Sequence, residues 1–140
     1  MPSFAYLDHN ATSPLRPAAF DVMVEALQAG GNPSSVHRAG RSARARLDTA
    51  RQQVAALVGA RPAEIIFTSG GTEANNSALV GAGRKHVLVS AVEHDSVLKA
   101  ATGGEILPVD GNGIVDLGIL EKSLAASTEP ALVSVMFANN

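Results

Sequence analysis

"EIIFTSGGTEANNSALV", residues 64–80, leads an apolar run through a turn of small residues into a helix-forming segment. Ile65 to Thr68 reads as a strand, because β-branched and aromatic side chains suit a pleated, partly buried surface. Glu73 to Val80 reads as a helix, which begins near Thr72 or Glu73. Between the two, Gly70 and Gly71 let the backbone bend tightly and approach a ligand closely. The free N–H groups of the first helical turn point into the same space. Together these features favour a phosphate, helped by the hydroxyl of Thr72 or Ser69. The same four residues also suit a plain connector with Thr72 as an ordinary N-cap. No G-K-[ST] follows and the G-x-G-x-x-G spacing is absent, so neither nucleotide fingerprint applies.

Working outward, strands and helices alternate. His86–Ser90, Glu105–Val109 and Ala131–Phe137 are apolar, β-rich runs. Ser96–Ala101 reads as a short helix, and Asp116 can cap another over Leu117–Ala126. Continuous Ile, Val and Leu strands separated by helices predict an α/β fold with a mostly parallel sheet covered on both faces. Ligands bind such sheets beyond the carboxyl ends of the strands. Before this body, Ala19, Val22, Met23, Ala26 and Leu27 form a helical stripe over residues 17–29, ended by Gly30-Gly31. "GNPSS" punctuates the chain, and a long helix follows from Val36 to Val58 with Gly59 as its stop. The division expected is an N-terminal helical arm, residues 1–58, and an α/β body, residues 59–140.

With 140 residues, 46% hydrophobic and 17% charged, the chain has the composition of a folded globular protein. A net charge of −2 gives no reason to expect nucleic acid or an anionic membrane surface. Arg38, Arg41, Arg44, Arg46 and Arg51 make the second helix basic, but no aromatic residues interleave with them. They read as a solvated face or a subunit contact rather than a nucleic-acid interface. There is no cysteine, which excludes disulfides, thiolate metal sites and a thiol nucleophile from these residues. His9, His37 and His86 lack the i, i+4 spacing of metal ligands, so no metal is expected. No apolar run has membrane-spanning length and "MPSFAYLDHN" has no secretory pattern, so the expected location is the cytoplasm. The apolar ending "VSVMFANN" reads as a cut through a larger protein.

Four stretches in order narrow the chemistry: "YLDHNATSP" (6–14), "GNPSSVHRAGRSAR" (31–44), "EIIFTSGGTEANN" (64–76) and "SAVEHDSV" (90–97). They closely resemble the pyridoxal-phosphate-dependent cysteine desulfurases of the NifS/IscS type, and "NGIVDL" and "ALVSVMFANN" continue the match. The resemblance spans the whole chain but only the first third or so of such an enzyme. It implies a fold-type-I transferase, with residues 59–140 the first part of its cofactor-binding large domain. By the resemblance, Gly71 and Thr72 bind the phosphate of pyridoxal 5′-phosphate, through backbone amides and the hydroxyl. His94 would stack on the pyridine ring and serve catalysis by moving protons. Asn140 would contact the cofactor near its 3′-oxygen and the substrate carboxylate. Asn10, Ala11 and Thr12 would line the substrate end. His94 and Asn140 each follow a strand, which places them on the same carboxyl edge as the glycine turn.

The resemblance further implies L-cysteine as substrate, sulfur-acceptor or scaffold proteins as partners, and a homodimer when complete. Departures from the family pattern are Gly71 in place of Ala, Phe137 in place of His, and Asp95 where Pro or Lys is common. The connectors at 81–85 and 100–105 are also short. A selenocysteine lyase or a related class V enzyme is the nearest alternative, and a non-catalytic phosphate-binding α/β fragment another. The family's cofactor-bearing lysine, its aspartate for the pyridine nitrogen and its persulfide cysteine match no position here. Lys85, Lys99 and Lys122 read as surface residues, so the chain by itself is expected to be inactive.

Overall fold

The computed structural model describes residues 5–139. They form two compact units, one from Thr12 to Phe67 and one joining the segment up to Ala11 with the segment from Thr68 onward.

The first unit is helical. α1 (Pro17–Ala29) starts on a proline, whose missing N–H is no loss in a first turn. Its apolar side chains Phe20, Val22, Met23 and Leu27 are exposed. α2 (Arg38–Val58) starts two residues later than the apolar pattern predicts, because His37 is its N-cap and accepts from Gly40 N–H at 3.3 Å. Gly40 is buried, and a Cβ there would collide with the backbone oxygen of Ser35, so the "GNPSS" turn lies directly on the helix start. Gly59 ends α2 in the left-handed region (φ 68°, ψ 28°), and Ala60 N–H closes on Ala55 O at 2.9 Å. Arg46 reaches Glu25 of α1 at 3.2 Å.

Two expectations need correction in this unit. Arg51 does not belong to a solvated face. Its guanidinium bonds Asp48 at 2.8 Å and the carbonyl of Ile65 at 3.3 Å, and lies 5.7 Å from the centre of the Phe67 ring. Ile65–Thr68 is not a strand among the described residues. A 3₁₀ turn, Pro62–Glu64, precedes it, and Ile65 has extended dihedrals (φ −95°, ψ 121°). The Ile65 carbonyl is taken by Arg51 instead of a neighbouring strand. Extended backbone without a ladder partner is not a strand.

The second unit is a parallel sheet with helices. α3 (Gly71–Gly81) leads to β1 (His86–Ser90), α4 (Asp95–Leu98), β2 (Glu105–Leu107), α5 (Leu117–Ala125) and β3 (Ala131–Ser134). The strand order is β2-β1-β3, with Val89 opposite Ile106 on one side and Ser134 on the other. Leu88, Val89, Ser90 and Leu107 are fully buried, as a central parallel strand and its neighbour require.

The outer elements are shorter than their apolar runs. β2 stops at Leu107 because Pro108 has no N–H for the ladder. Val109 instead faces Val115 in an antiparallel bridge, closed by Asp110, whose carboxylate accepts from Asn112 and Ile114 N–H. Those donors, Ile114 first, hold the Asp110 carboxyl below the usual aspartate range. β3 ends at Ser134, one residue short of the end of β1 in their register, which frees Val135–Phe137 from pairing. α4 covers Asp95–Leu98 rather than Ser96–Ala101, since His94 caps it. Asp116 caps α5 as expected, accepting from Gly118 and Ile119 N–H at 2.9 and 3.0 Å.

The Gly40 contact yields a stability test. Alanine in place of glycine favours a helix by about 1 kcal/mol, whereas forcing a methyl into a filled site costs about 1–3 kcal/mol. Gly40→Ala is therefore expected to lower the thermal midpoint. An unchanged or raised midpoint would show that the turn does not pack on α2.

Candidate functional site

α3 begins without a side-chain cap. Its N-cap is Gly70, in extended backbone, and the first bond of the helix runs from Ala74 N–H to Gly70 O at 3.1 Å. The N–H groups of Gly71, Thr72 and Glu73 thus have no intrahelical acceptor, and the helix dipole adds positive potential there. Gly70, Gly71, Thr72 and Glu73 are all exposed, and no neighbour stands where a Cβ on either glycine would lie. Thr72 lies inside the first turn, not at the N-cap considered from sequence. Its carbonyl accepts from Asn76 at 2.8 Å, and its hydroxyl makes no hydrogen bond among the described residues.

Ser69 is already committed. Its N–H and its hydroxyl both donate to Glu73 Oε2, each at 2.7 Å. Of the two hydroxyls that the sequence offered to a phosphate, only that of Thr72 is available. The Ser69 hydroxyl, and secondly its amide, hold the Glu73 carboxyl below the usual glutamate range. The carboxylate therefore stays charged while its charge is spent on closing the turn.

Beyond the carboxyl end of β1, residues 91–94 lead into α4. Glu93 is buried and accepts from the Ser134 hydroxyl at 2.8 Å, and Asn139 donates to Val92 O at 2.9 Å. These bonds hold the segment after β3 against the loop after β1. His94 follows, and its Nδ1 meets the Ser96 amide at 3.1 Å and the Ser96 hydroxyl at 2.8 Å. Asn75, one turn along α3 from Thr72, donates to the same hydroxyl at 2.8 Å. Asp95 turns away to Lys99 at 2.6 Å, and that hydrogen bond holds its carboxyl below the usual range.

Gly71, Thr72, Asn75, His94, Ser96 and Met136 line one concavity of about 350 Å³. Three residues singled out from sequence, Gly71, Thr72 and His94, therefore share one site. Asn10 and Ala11, exposed in a turn of the same unit, do not line it, and Thr12 belongs to the other unit. Asn140 lies outside the described residues. Sequence reasoning missed Asn75, Ser96 and Met136. The spacing of Thr72 and Asn75 on one helical face was a usable signal for the first. No group of His, Cys, Asp and Glu among the described residues could hold a metal ion. None of their helices is long and apolar enough to cross a membrane.

The family described as Aminotransferase class-V matches residues 5–140. The chain is 41% identical over 153 residues to an IscS-like cysteine desulfurase of Mycobacterium tuberculosis, covering 97% of this chain and 39% of the relative. It is 44% identical over 149 residues to the cysteine desulfurase IscS of Dictyoglomus turgidum, covering 96% and 37%. Among solved structures, a NifS-like protein from Rickettsia africae superposes with a TM-score of 0.85 at 35% identity, covering 96% of this chain and 39% of that one. The chain thus spans well under half the length of these relatives.

The Glu73 latch has a pH signature. A carboxyl whose folded pKa is lowered adds stability that is present above its unfolded pKa and lost as pH falls through the folded value. Urea midpoints of the parent and Glu73→Gln are expected to differ most near neutrality and to converge below the usual glutamate range. A difference that stays constant with pH would mean that the carboxylate charge does not hold the turn.

Proposed function

The chain belongs to the class V aminotransferases, and on that premise we propose that it is the N-terminal part of a pyridoxal-phosphate-dependent cysteine desulfurase. The observation that carries the reading is the uncapped, exposed start of α3, with its unpaired amides and unengaged Thr72 hydroxyl, opening on the same concavity as His94. These residues fit a phosphate monoester on an aromatic ring. Amide hydrogens and one hydroxyl suit the anion, and an imidazole suits a ring face. In this reading Gly71 and Thr72 hold the phosphate and His94 lies against the ring. Asn140, with Asn10, Ala11 and Thr12, serves the substrate end.

When bound, the cofactor supplies an electron sink for negative charge developing beside the substrate nitrogen. The work of this chain is to bind and orient. The α3 amides fix one end of the group, and the loop after β1 sets the imidazole. His94 Nδ1 is occupied by Ser96, so Nε2 is the nitrogen left to face a ligand and move a proton. The proposed reaction takes L-cysteine to L-alanine and passes the sulfur to a cysteine thiolate as a persulfide. That thiol is outside these residues, which contain no cysteine. Delivery to sulfur-acceptor or scaffold proteins, for iron–sulfur clusters or other sulfur transfer, completes the proposal. The full enzyme is proposed as a cytoplasmic homodimer.

Thr72→Ala and His94→Ala in the intact protein separate holding from chemistry. Loss of one hydrogen bond to a charged group costs about 1.5–3 kcal/mol, so Thr72→Ala should weaken cofactor binding roughly ten- to hundred-fold. His94→Ala should slow sulfide release by about 10²–10⁴-fold, the usual contribution of a proton-transfer group, without a matching loss of thermal stability. Unchanged cofactor affinity in the first variant would remove the phosphate assignment. A rate loss in the second that only tracks its melting temperature would make His94 structural.

A further inference from the structure

We propose that Ser96 and Asn75 are positioning residues that fix the tautomer of His94, placing its proton on Nε2. The proposal rests on hydrogen-bond polarity. Ser96 N–H lies 3.1 Å from His94 Nδ1, and a backbone amide can only donate. A proton on Nδ1 would point at the amide hydrogen, so Nδ1 must be the unprotonated nitrogen. The Ser96 hydroxyl, 2.8 Å from the same atom, then has to donate as well. With its single proton spent on the imidazole, Ser96 Oγ must accept from its other neighbour, which is Asn75 Nδ2 at 2.8 Å. Every member of the Asn75–Ser96–His94 chain is then satisfied in one direction only.

Burial protects the Ser96 end of the arrangement, while the His94 ring is exposed. Ser96 is 7% exposed, so no solvent competes freely for its hydroxyl. Asn75 comes from α3 and Ser96 from α4, so the relay also joins the helix that offers open amides to the loop that presents His94. An imidazole turned by half a rotation about its Cβ–Cγ bond would lose both Ser96 donors. His94 therefore offers the concavity one defined edge, an Nε2–H donor in the neutral form. A histidine bound by a single partner would lack that definition.

The tautomer stands on geometry alone, whereas its use in catalysis rests on the function proposed above. The test is two-bond ¹H–¹⁵N correlation of imidazole-labelled histidines in the intact protein, with His94→Gln assigning the signal. The expected neutral-state spectrum has Nδ1 pyridine-like and Nε2 pyrrole-like. The opposite pattern in the parent protein would overturn the proposal, and this reading needs no variant to fold. In Ser96→Ala and Asn75→Ala the Nδ1 resonance should move toward the position of an unbonded nitrogen, with Ser96→Thr restoring it. A resonance unmoved in both alanine variants would also overturn it. Loss of one neutral hydrogen bond predicts a fall in kcat for sulfide release of about two- to ten-fold in Ser96→Ala, with cofactor affinity retained. A shifted resonance with unchanged kcat would uphold the positioning and instead contradict the catalytic use of His94.

Discussion

β1 is paired in parallel on both sides, and that constraint organises the unit that contains the site. Leu88 and Val89 have a partner strand on each edge, which withholds their backbone from water, and their faces are covered as well. Leu88, Val89 and Ser90 are accordingly fully buried. Parallel pairing also sends every strand's carboxyl end to the same edge. The loop with Glu93 and His94 and the segment with Met136 and Asn139 therefore emerge together. They are fastened there by the Ser134–Glu93 and Asn139–Val92 bonds. Burying Glu93 is acceptable because its carboxylate finds a hydroxyl donor.

At that edge the local electrostatics are divided between neighbours. Glu73 neutralises the donors of Ser69, which lie before the helix, and leaves those of Gly71, Thr72 and its own backbone open. An acid next to an anion site looks unfavourable, yet here its charge is already engaged with two donors. Asp95 is likewise turned to Lys99. The charge of Asp95 is offset by the Lys99 ammonium, whereas Glu73, bonded by neutral donors, keeps its charge, so the helix amides and dipole hold an incoming anion against it.

Much of this was legible in the sequence because it is local. The limits of α1, the Gly59 stop, the Asp116 cap and the strand character of His86–Ser90 follow from periodicity and punctuation. Ordered motifs singled out Gly71, Thr72 and His94, which share one concavity, whereas Asn10 and Ala11 do not line it. What escaped depends on contacts between distant residues. Ile65–Thr68 has the composition of a strand but gives its Ile65 carbonyl to Arg51, fourteen positions earlier in sequence. Asn75 and Ser96 are twenty-one positions apart, and no one-dimensional pattern joins an α3 amide to the hydroxyl of a four-residue helix. Pro108 did carry a local signal, since a residue without an N–H shortens a strand, and the apolar run of Glu105–Val109 masked it.

On the function proposed above, the uncapped amides of α3 receive the phosphate of the cofactor. Backbone ¹H–¹⁵N spectra of the intact protein, titrated with pyridoxal 5′-phosphate and separately with unphosphorylated pyridoxal, test it most directly. The amides of Gly71, Thr72 and Glu73 should shift strongly with the phosphorylated compound only, while that of Ser69, held by Glu73, should shift little. Saturable binding of pyridoxal 5′-phosphate that leaves those three amides unmoved would contradict it.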